Sequence, residues 1–438
     1  MLLQFKTTNY KSFRDELVFS MIPAKKQKDL DYSILKKTVG KKIYKGLSSA
    51  VIYGANASGK TNIIGAMDTF KRIIHRGHIR NSENQKSHNT ASGVLELIPN
   101  NASSEAEPIS FSVQFVTEGL LIEYAFSMLV GRFLETDYPR KVCSEYLLVN
   151  NVEVFHRDDE LYFNGLDSIS AYLVNAFPEN ADSAVSIAKS NLNDEELFLM
   201  NGFKTMFSAK IASIIDGWLT KKLITVYRSN DMSLSVVEKI SDSIVIDKTL
   251  NDAVKLFGIN SNDMGFMSDS DGGEARLHSL FEDSGKAVRA EVFESYGTLR
   301  FAAIFPMIAG ALQTGSTLVV DEFDASIHPM ALMNIVNIFH NDEINTRNAQ
   351  LIFNTHNPIF LNSNFFRRDE IKFVERDDIT HASTHYSLSD FGTAGDRGVR
   401  KGDDYMKKYF VDRYGAIRDI DFSSVIESLT SSDAEVQS

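Results

Sequence analysis

One stretch constrains this chain more than any other: Val51-Ile-Tyr-Gly54-Ala-Asn-Ala-Ser-Gly59-Lys60-Thr61. It reads as a strand, a loop and a helix start, with the spacing G-x-x-x-x-G-K-[ST] of a phosphate-binding P-loop. The apolar, β-rich run Ala50–Tyr53 supplies the strand. From about Lys60 the helix brings Ile63, Met67, Phe70 and Ile74 to one face. Small residues at Gly54, Ala55, Ala57, Ser58 and Gly59 let backbone N–H groups turn inward around a phosphate chain, and the helix N-terminus adds partial positive charge there. Lys60 is the full charge in the cradle, set for β- and γ-phosphates, and the Thr61 hydroxyl is set for Mg²⁺. The pattern assigns Gly54, Asn56, Ala57, Ser58, Gly59, Lys60, Thr61 and Asn62 to nucleotide contact, with ATP and Mg²⁺ as the expected cofactors. It also commits the chain to the α/β class.

With 438 residues there is length for two or three domains, and 43% hydrophobic residues support a sizeable core. No apolar run reaches about 18 residues, so no spanning helix and no membrane partner are expected. The N-terminus, Met1-Leu-Leu-Gln-Phe-Lys, lacks the features of a signal peptide. The single Cys143 excludes an internal disulfide and suits a reducing, cytoplasmic location. A formal net charge of −12 argues against nucleic acid spread over the whole surface, but leaves room for a local basic patch.

Around the P-loop, strands are expected at Leu2–Thr7 and Leu17–Met21. The lysine-rich run 23–46 reads as a solvated loop, and the Ser-, Asn- and Glu-rich run 81–107 as a loop or insertion. Ile109, Phe111, Val113 and Phe115 alternate with polar residues, Glu118-Gly119 turns, and Ile122, Tyr124, Phe126 and Met128 alternate on the return. Short strands follow near 142–149, 152–157 and 160–163, so 109–165 reads as antiparallel β. From about 168 to 290 the periodicity is mainly helical, as in Phe203, Met206, Phe207, Ile211, Ile214, Ile215 and Trp218, with Trp218 a core residue. This part includes the Gly/Asp-rich loop Ser268–Gly273. A helix over about Gly297–Ala311, a strand at Thr317–Val320, a helix from Pro329, a strand at Gln350–Phe353 and a hairpin of Ile371–Glu375 with His381–Leu388 complete the pattern. The expected units are 1–80, 81–165, 166–290, 291–422 and a flexible tail, 423–438.

Three further constellations carry chemistry. Thr317-Leu-Val-Val-Asp321-Glu322 is an apolar strand ending in two acids, the Walker B arrangement. Asp321 is placed to hold Mg²⁺ and Glu322 to act as general base on the attacking water. Asn354-Thr-His356 ends the next strand, where an open parallel sheet collects ligands, so His356 is placed for the γ-phosphate or the water. Phe293-Glu-Ser295-Tyr-Gly297-Thr298-Leu-Arg300 opens a helix with a second phosphate-binding start. One chain cannot readily use both phosphate sites on one nucleotide, which implies a homodimer or higher oligomer in which Ser295 of one copy covers ATP on another.

Together these strings resemble the ABC-type ATPase heads of the SMC and recombination-repair class, and more closely a prokaryotic defence subfamily similar to the RloA and AbiLi ATPases and the AriA ATPase of the PARIS system. The resemblance rests on Asn9-Tyr-Lys-Ser-Phe13, Gly54–Thr61, Glu294–Thr298, Asp321-Glu-Phe-Asp-Ala-Ser-Ile-His-Pro329, Asn354-Thr-His-Asn-Pro358, Tyr405–Tyr409 and Arg413–Ile417. It implies a P-loop ATPase head with an antiparallel β-subdomain and an inserted helical subdomain. It further implies that Lys11 and Ser12 contact the nucleotide, that Ser295, Gly297 and Thr298 form a signature reaching across the dimer, and that Asp324 links the two sites. Tyr296 departs from the Ser-Gly-Gly core of transporter signatures. No Mg²⁺-sensing glutamine is evident; Gln114 lies in an expected strand, and Lys189-Ser-Asn191 is a weaker alternative.

The function implied is ATP binding and hydrolysis as the sensor or switch subunit of a bacterial anti-phage, abortive-infection system. The effector would be a separate TOPRIM-type nuclease of the RloB kind, and the trigger DNA or a phage protein. The alternative is an ATP-dependent DNA-binding repair clamp with the 23–46 lysines along a duplex; a scaffold that binds ATP but hydrolyses little is a third class. The ten histidines show no metal-ligand spacing.

Overall fold

A computed structural model describes the chain except for residues 26, 28–29, 81–94, 136–137, 175–176, 228–234, 237–245, 258–262, 269–274, 282–283, 394–397, 401, 419–420 and 424–438. Lys26, Lys28, most of the 81–107 run, Ser268–Gly273 beyond its first residue and nearly all of the tail therefore lie outside the described residues.

In chain order the elements are β1 (Leu2–Thr8), β2 (Leu17–Ser20), β3 (Ile34–Val39), β4 (Lys42–Leu47), β5 (Ser49–Tyr53) and α1 (Lys60–Arg76). Next come β6 (Ile109–Thr117), β7 (Leu120–Leu129), β8 (Lys141–Val149), β9 (Val152–Arg157), β10 (Leu161–Phe163), α2 (Phe177–Ser190), α3 (Lys204–Met206) and α4 (Ala209–Lys221). Then follow β11 (Leu223–Val226), β12 (Ser235–Val236), α5 (Lys248–Leu256), β13 (Asp263–Ser268), β14 (Ala275–Phe281), β15 (Lys286–Arg289) and α6 (Ala290–Phe293). The last are α7 (Tyr296–Thr314), β16 (Thr317–Val320), α8 (Pro329–His340), β17 (Gln350–Asn354), β18 (Ile371–Arg376), β19 (Ser383–Ser387) and α9 (Tyr405–Phe410).

Among the described residues two sheets carry the architecture. The first runs β11-β16-β17-β5-β18-β19, parallel except for the edge strand β19. Every residue of β5, β16 and β17 is buried, as expected of parallel strands covered on both faces. Alternation sends Ala50, Ile52, Val319 and Ile352 into one core with α1, and Val51, Tyr53, Val320 and Phe353 into another with α7 and α8. The second sheet, β10-β9-β8-β7-β6-β1-β2, is antiparallel and packs on the other side of α1, where Phe70 stacks on Phe126 at 5.5 Å between ring centroids. The α1 stripe of Ile63, Met67, Phe70 and Ile74 is buried as the spacing predicts, and Trp218 lies in the core, stacked 3.9 Å from Phe115.

Three expectations are corrected. The described part of the lysine-rich run is not simply a loop, because β3 and β4 pair as a hairpin over 34–47. Leu35 and Val39 tuck against Met1, Leu3, Val116 and Leu121, while intervening polar side chains face water. The stretch 166–290 is only partly helical: β11 joins the parallel sheet, and β12–β15 form a small antiparallel sheet with Met264 and Leu277 buried. Finally, β1 and β2 belong to the sheet of 109–163, so 1–80 and 81–165 share one continuous sheet.

Candidate functional site

The loop after β5 is built to close tightly. A Cβ on Gly54 would stand 2.4 Å from the Val374 carbonyl, and one on Gly59 would stand 2.6 Å from Ser12 Oγ. Gly59 also takes φ +111° and Ala57 φ 61°, left-handed values that turn the loop back on itself. α1 then starts at Lys60, whose Nζ donates to the Gly54 and Ala55 carbonyls at 2.8 and 2.9 Å. Burial pushes the ammonium down to about 8, against the opposing pull of Asp321, Glu322 and Asp324. The Ser58 hydroxyl is buried in the same loop without a hydrogen-bond partner among the described residues. A cavity of about 250 Å³ lined by Ala57–Asn62 and Arg376 marks the cradle.

The strand order brings the acids to this loop. One strand, β17, separates β5 from β16, and all three end at the same edge. Thr61 Oγ1 donates to Asp321 Oδ1 at 3.0 Å, and Asn354 Nδ2 donates to the same oxygen at 2.5 Å. Asn354 Oδ1 in turn accepts the Glu322 N–H at 2.5 Å. Asp321 is buried, whereas Glu322 is exposed and holds φ 50°, a left-handed backbone that costs a non-glycine residue about 1–3 kcal/mol. From the other side Arg300, buried in α7, donates to the Glu322 carbonyl at 2.9 Å.

The remaining sequence-derived residues divide. Ser12 comes to the cradle, accepting from Asn62 Nδ2 at 2.8 Å. Lys11 turns away: its Nζ pairs with Glu96 and lies 3.0 Å from Tyr227 Oη. The carboxylate, brought near by the 95–98 segment, captures the charge. His356 follows β17 at the surface, where desolvation and then Lys60 hold its imidazole below the usual range, opposed by Asp324 and Glu322. Asp324 is half-buried in the turn after Glu322. Ser295 caps α7, its Oγ accepting the Thr298 N–H at 3.2 Å and meeting Thr298 Oγ1 at 2.8 Å, so Thr298 is buried rather than presented. Gly297 packs so closely on the turn that a Cβ would be 2.3 Å from the Ser326 carbonyl. Gln114 pairs across the sheet with Glu123 at 3.0 Å, and Lys189 lies over the Tyr162 ring.

Sequence reasoning gave no role to Asn354 as a bridge, to Arg300, or to the β18–β19 hairpin. Ser383 Oγ donates to the Ser58 carbonyl at 2.6 Å and Arg376 reaches the Ala57 carbonyl at 3.3 Å, so this hairpin buttresses the loop. The strand-end position of Asn354 was the available signal; Ser383 and Arg376 carried none.

Residues 49–362 match the family described as AAA domain, putative AbiEii toxin, Type IV TA system. The chain belongs to this family, a P-loop ATPase domain family linked by its description to toxin–antitoxin systems. No curated protein matches. Among solved structures, the SMC head domain from Thermotoga maritima is similar over 88% of this chain and 98% of that chain, at 12% identity and a TM-score of 0.35. Among the described residues no helix is long and apolar enough to cross a membrane.

Proposed function

We propose that this member of the AAA-domain family binds ATP with Mg²⁺ at the Lys60–Asp321 cradle and hydrolyses it, using Glu322 as the base. The observation that carries the reading is the chain of bonds Thr61–Asp321–Asn354–Glu322, which links the phosphate loop, the metal-holding acid and the base. Thr61 Oγ1 and Asp321 Oδ1, 3.0 Å apart, are the residues that would hold Mg²⁺. Among the described residues no cluster of three or more His, Cys, Asp or Glu could cage a metal alone. That suits Mg²⁺, which takes few protein ligands and completes its octahedron with water and substrate phosphate. Bound there, the ion would neutralise charge on the transferring phosphate. Lys60 would orient the β- and γ-phosphates, Glu322 would take the proton of the attacking water, and His356, Asn56 and Asp324 would line the γ-phosphate side.

The composite-site reading extends this. Ser295 and Gly297 would meet the nucleotide of a second copy, so that ATP closes two heads and hydrolysis reopens them. In the cell such a switch would serve a cytoplasmic anti-phage system, controlling a TOPRIM-type effector nuclease in response to DNA or a phage protein. The family's link to toxin–antitoxin systems supports a defence context.

The test is phosphate release by the parent, Lys60→Ala and Glu322→Gln chains, with ATP binding measured separately. Lys60→Ala should lose both binding and turnover. Glu322→Gln should keep ATP while turnover falls by about a hundredfold or more, the usual worth of a general base. Undiminished ATP affinity in Lys60→Ala would remove the cradle assignment; parental turnover in Glu322→Gln would move the base elsewhere.

A further inference from the structure

At the opposite edge of the parallel sheet, where β11 and β16 begin, lies a second cavity of about 370 Å³. Its lining brings together Lys37 of β3, Lys222 at the end of α4 and Arg347 from the loop before β17, with one acid, Glu118. These three cations are far apart in sequence, and none of them forms an ion pair among the described residues. The β3–β4 hairpin is fixed over this edge, since Asn348 Nδ2 donates to the Lys36 carbonyl at 3.3 Å and Leu35 and Val39 are buried. Lys222 Nζ donates to the Thr314 carbonyl at the end of α7. The convergence has an electrostatic signature: burial, then the charges of Lys37 and Lys222, hold the Met1 amine down to about 5. The lining thus carries three cations against one acid, on a chain of net charge −12.

We propose that this cavity is a second anion site, independent of the P-loop, that takes a small phosphorylated molecule. The volume lies in the range of small-ligand pockets. Lys37 and Arg347 supply donors suited to phosphate oxygens, Arg347 as a planar fork. Lys222, whose Nζ also donates to the Thr314 carbonyl, adds the third cation of the lining. The concave shape, Glu118 at the lining and the acidic chain as a whole favour a compact phosphate compound over a long polyanion. Because β16 begins here and leads into Asp321, and α7 ends here and begins beside Ser295, the site lies at the far ends of both elements of the nucleotide machinery.

The probe is inorganic pyrophosphate, titrated calorimetrically into the Lys60→Ala chain so that the P-loop does not contribute, and then into the same chain carrying Lys37→Ala and Arg347→Ala. A parallel arm measures a single-stranded DNA oligonucleotide by fluorescence anisotropy. Saturable pyrophosphate binding, weakened by about tenfold or more when the two rim cations are removed, is the expected result. Both rim residues are partly or fully exposed, and unchanged near-ultraviolet circular dichroism will confirm that the variants fold. No saturable heat, or equal heat with and without Lys37 and Arg347, overturns the proposal. Oligonucleotide binding that exceeds pyrophosphate binding and depends on the same two residues overturns the assignment to a small ligand. None of these results bears on whether Lys60 binds ATP, so the two readings stand or fall separately.

Discussion

Replacing Asn354 by leucine tests whether the bridge between the two acids matters to chemistry or only to folding. The side chain is buried, and leucine keeps its branched outline but is bulkier, so no cavity opens and overpacking adds its own cost to that of the lost bonds. Two bonds disappear. The one to the Asp321 carboxylate is charge-assisted, worth about 1.5–3 kcal/mol, and the Glu322 N–H loses its acceptor at a cost of about 1–3 kcal/mol. Since the two losses share one side chain they will not add fully, and a fall of about 3 kcal/mol in unfolding free energy is expected. Urea denaturation reads this number. The chemical consequence is separate. Glu322 holds its left-handed backbone between Asn354 on the N–H side and Arg300 on the carbonyl side. Releasing one side lets the residue relax and carries its carboxylate off line, so kcat for ATP should drop by about tenfold or more. KM should move less, because Lys60 and Thr61 keep their places. A variant that loses stability yet turns over at the parental kcat refutes the positioning argument. One that keeps full stability refutes the bonds themselves.

Lys60 supplies a pH dependence. Its folded value of about 8 lies below its ordinary 10.5, so between those values the unfolded chain holds the extra proton and this group's contribution makes stability rise with pH. Phosphate oxygens would restore the proton, so ATP binding should take up protons just above pH 8 and weaken as pH climbs through that value; calorimetry in buffers of different ionisation heat measures the uptake, and an equal uptake in Lys60→Met would sink the assignment. Ser295→Arg should block the apposition of two copies and abolish turnover while leaving ATP binding to single chains nearly intact, and full ATPase activity in that variant would end the composite-site reading. Arg300→Met should slow turnover more than it weakens ATP binding, because it frees the Glu322 carbonyl; the kcat and KM of the variant decide, and a change confined to KM would contradict it.

The phosphate loop was legible because its residues are consecutive: Gly54 to Thr61 fix a local backbone whose tight approaches, at Gly54 and Gly59, leave no room for another residue type. The strands with clean alternation, β6 and β7, were legible for the same reason of locality. What escaped was set by distant charge and by short amphipathic stretches. Lys11 stands in a string that suggested a nucleotide contact, yet Glu96, in a run with no periodicity, claims its ammonium. The β3–β4 hairpin was hidden because lysines stand out in its composition, while Leu35, Val39 and Leu47, the buried apolar residues that anchor it, are too few to register as a pattern.

Asn354 shows where topology adds what sequence spacing lacks. The order β16-β17-β5 puts a strand between the one that carries the acids and the one that feeds the phosphate loop, so neighbouring strand ends lie about 4.8 Å apart and the outer two about twice that. Thr61 closes the gap to Asp321 from the helix side, at 3.0 Å. The middle strand must end in a group that can satisfy a buried carboxylate on one side and a backbone N–H on the other. An amide does both, donating through Nδ2 and accepting through Oδ1. A carboxylate in its place would face Asp321 with like charge, and a hydroxyl is too short to span both partners. Asn354 therefore meets a demand that the strand order sets once Asp321 and Glu322 are in place, a constraint that no motif within a single strand could have expressed.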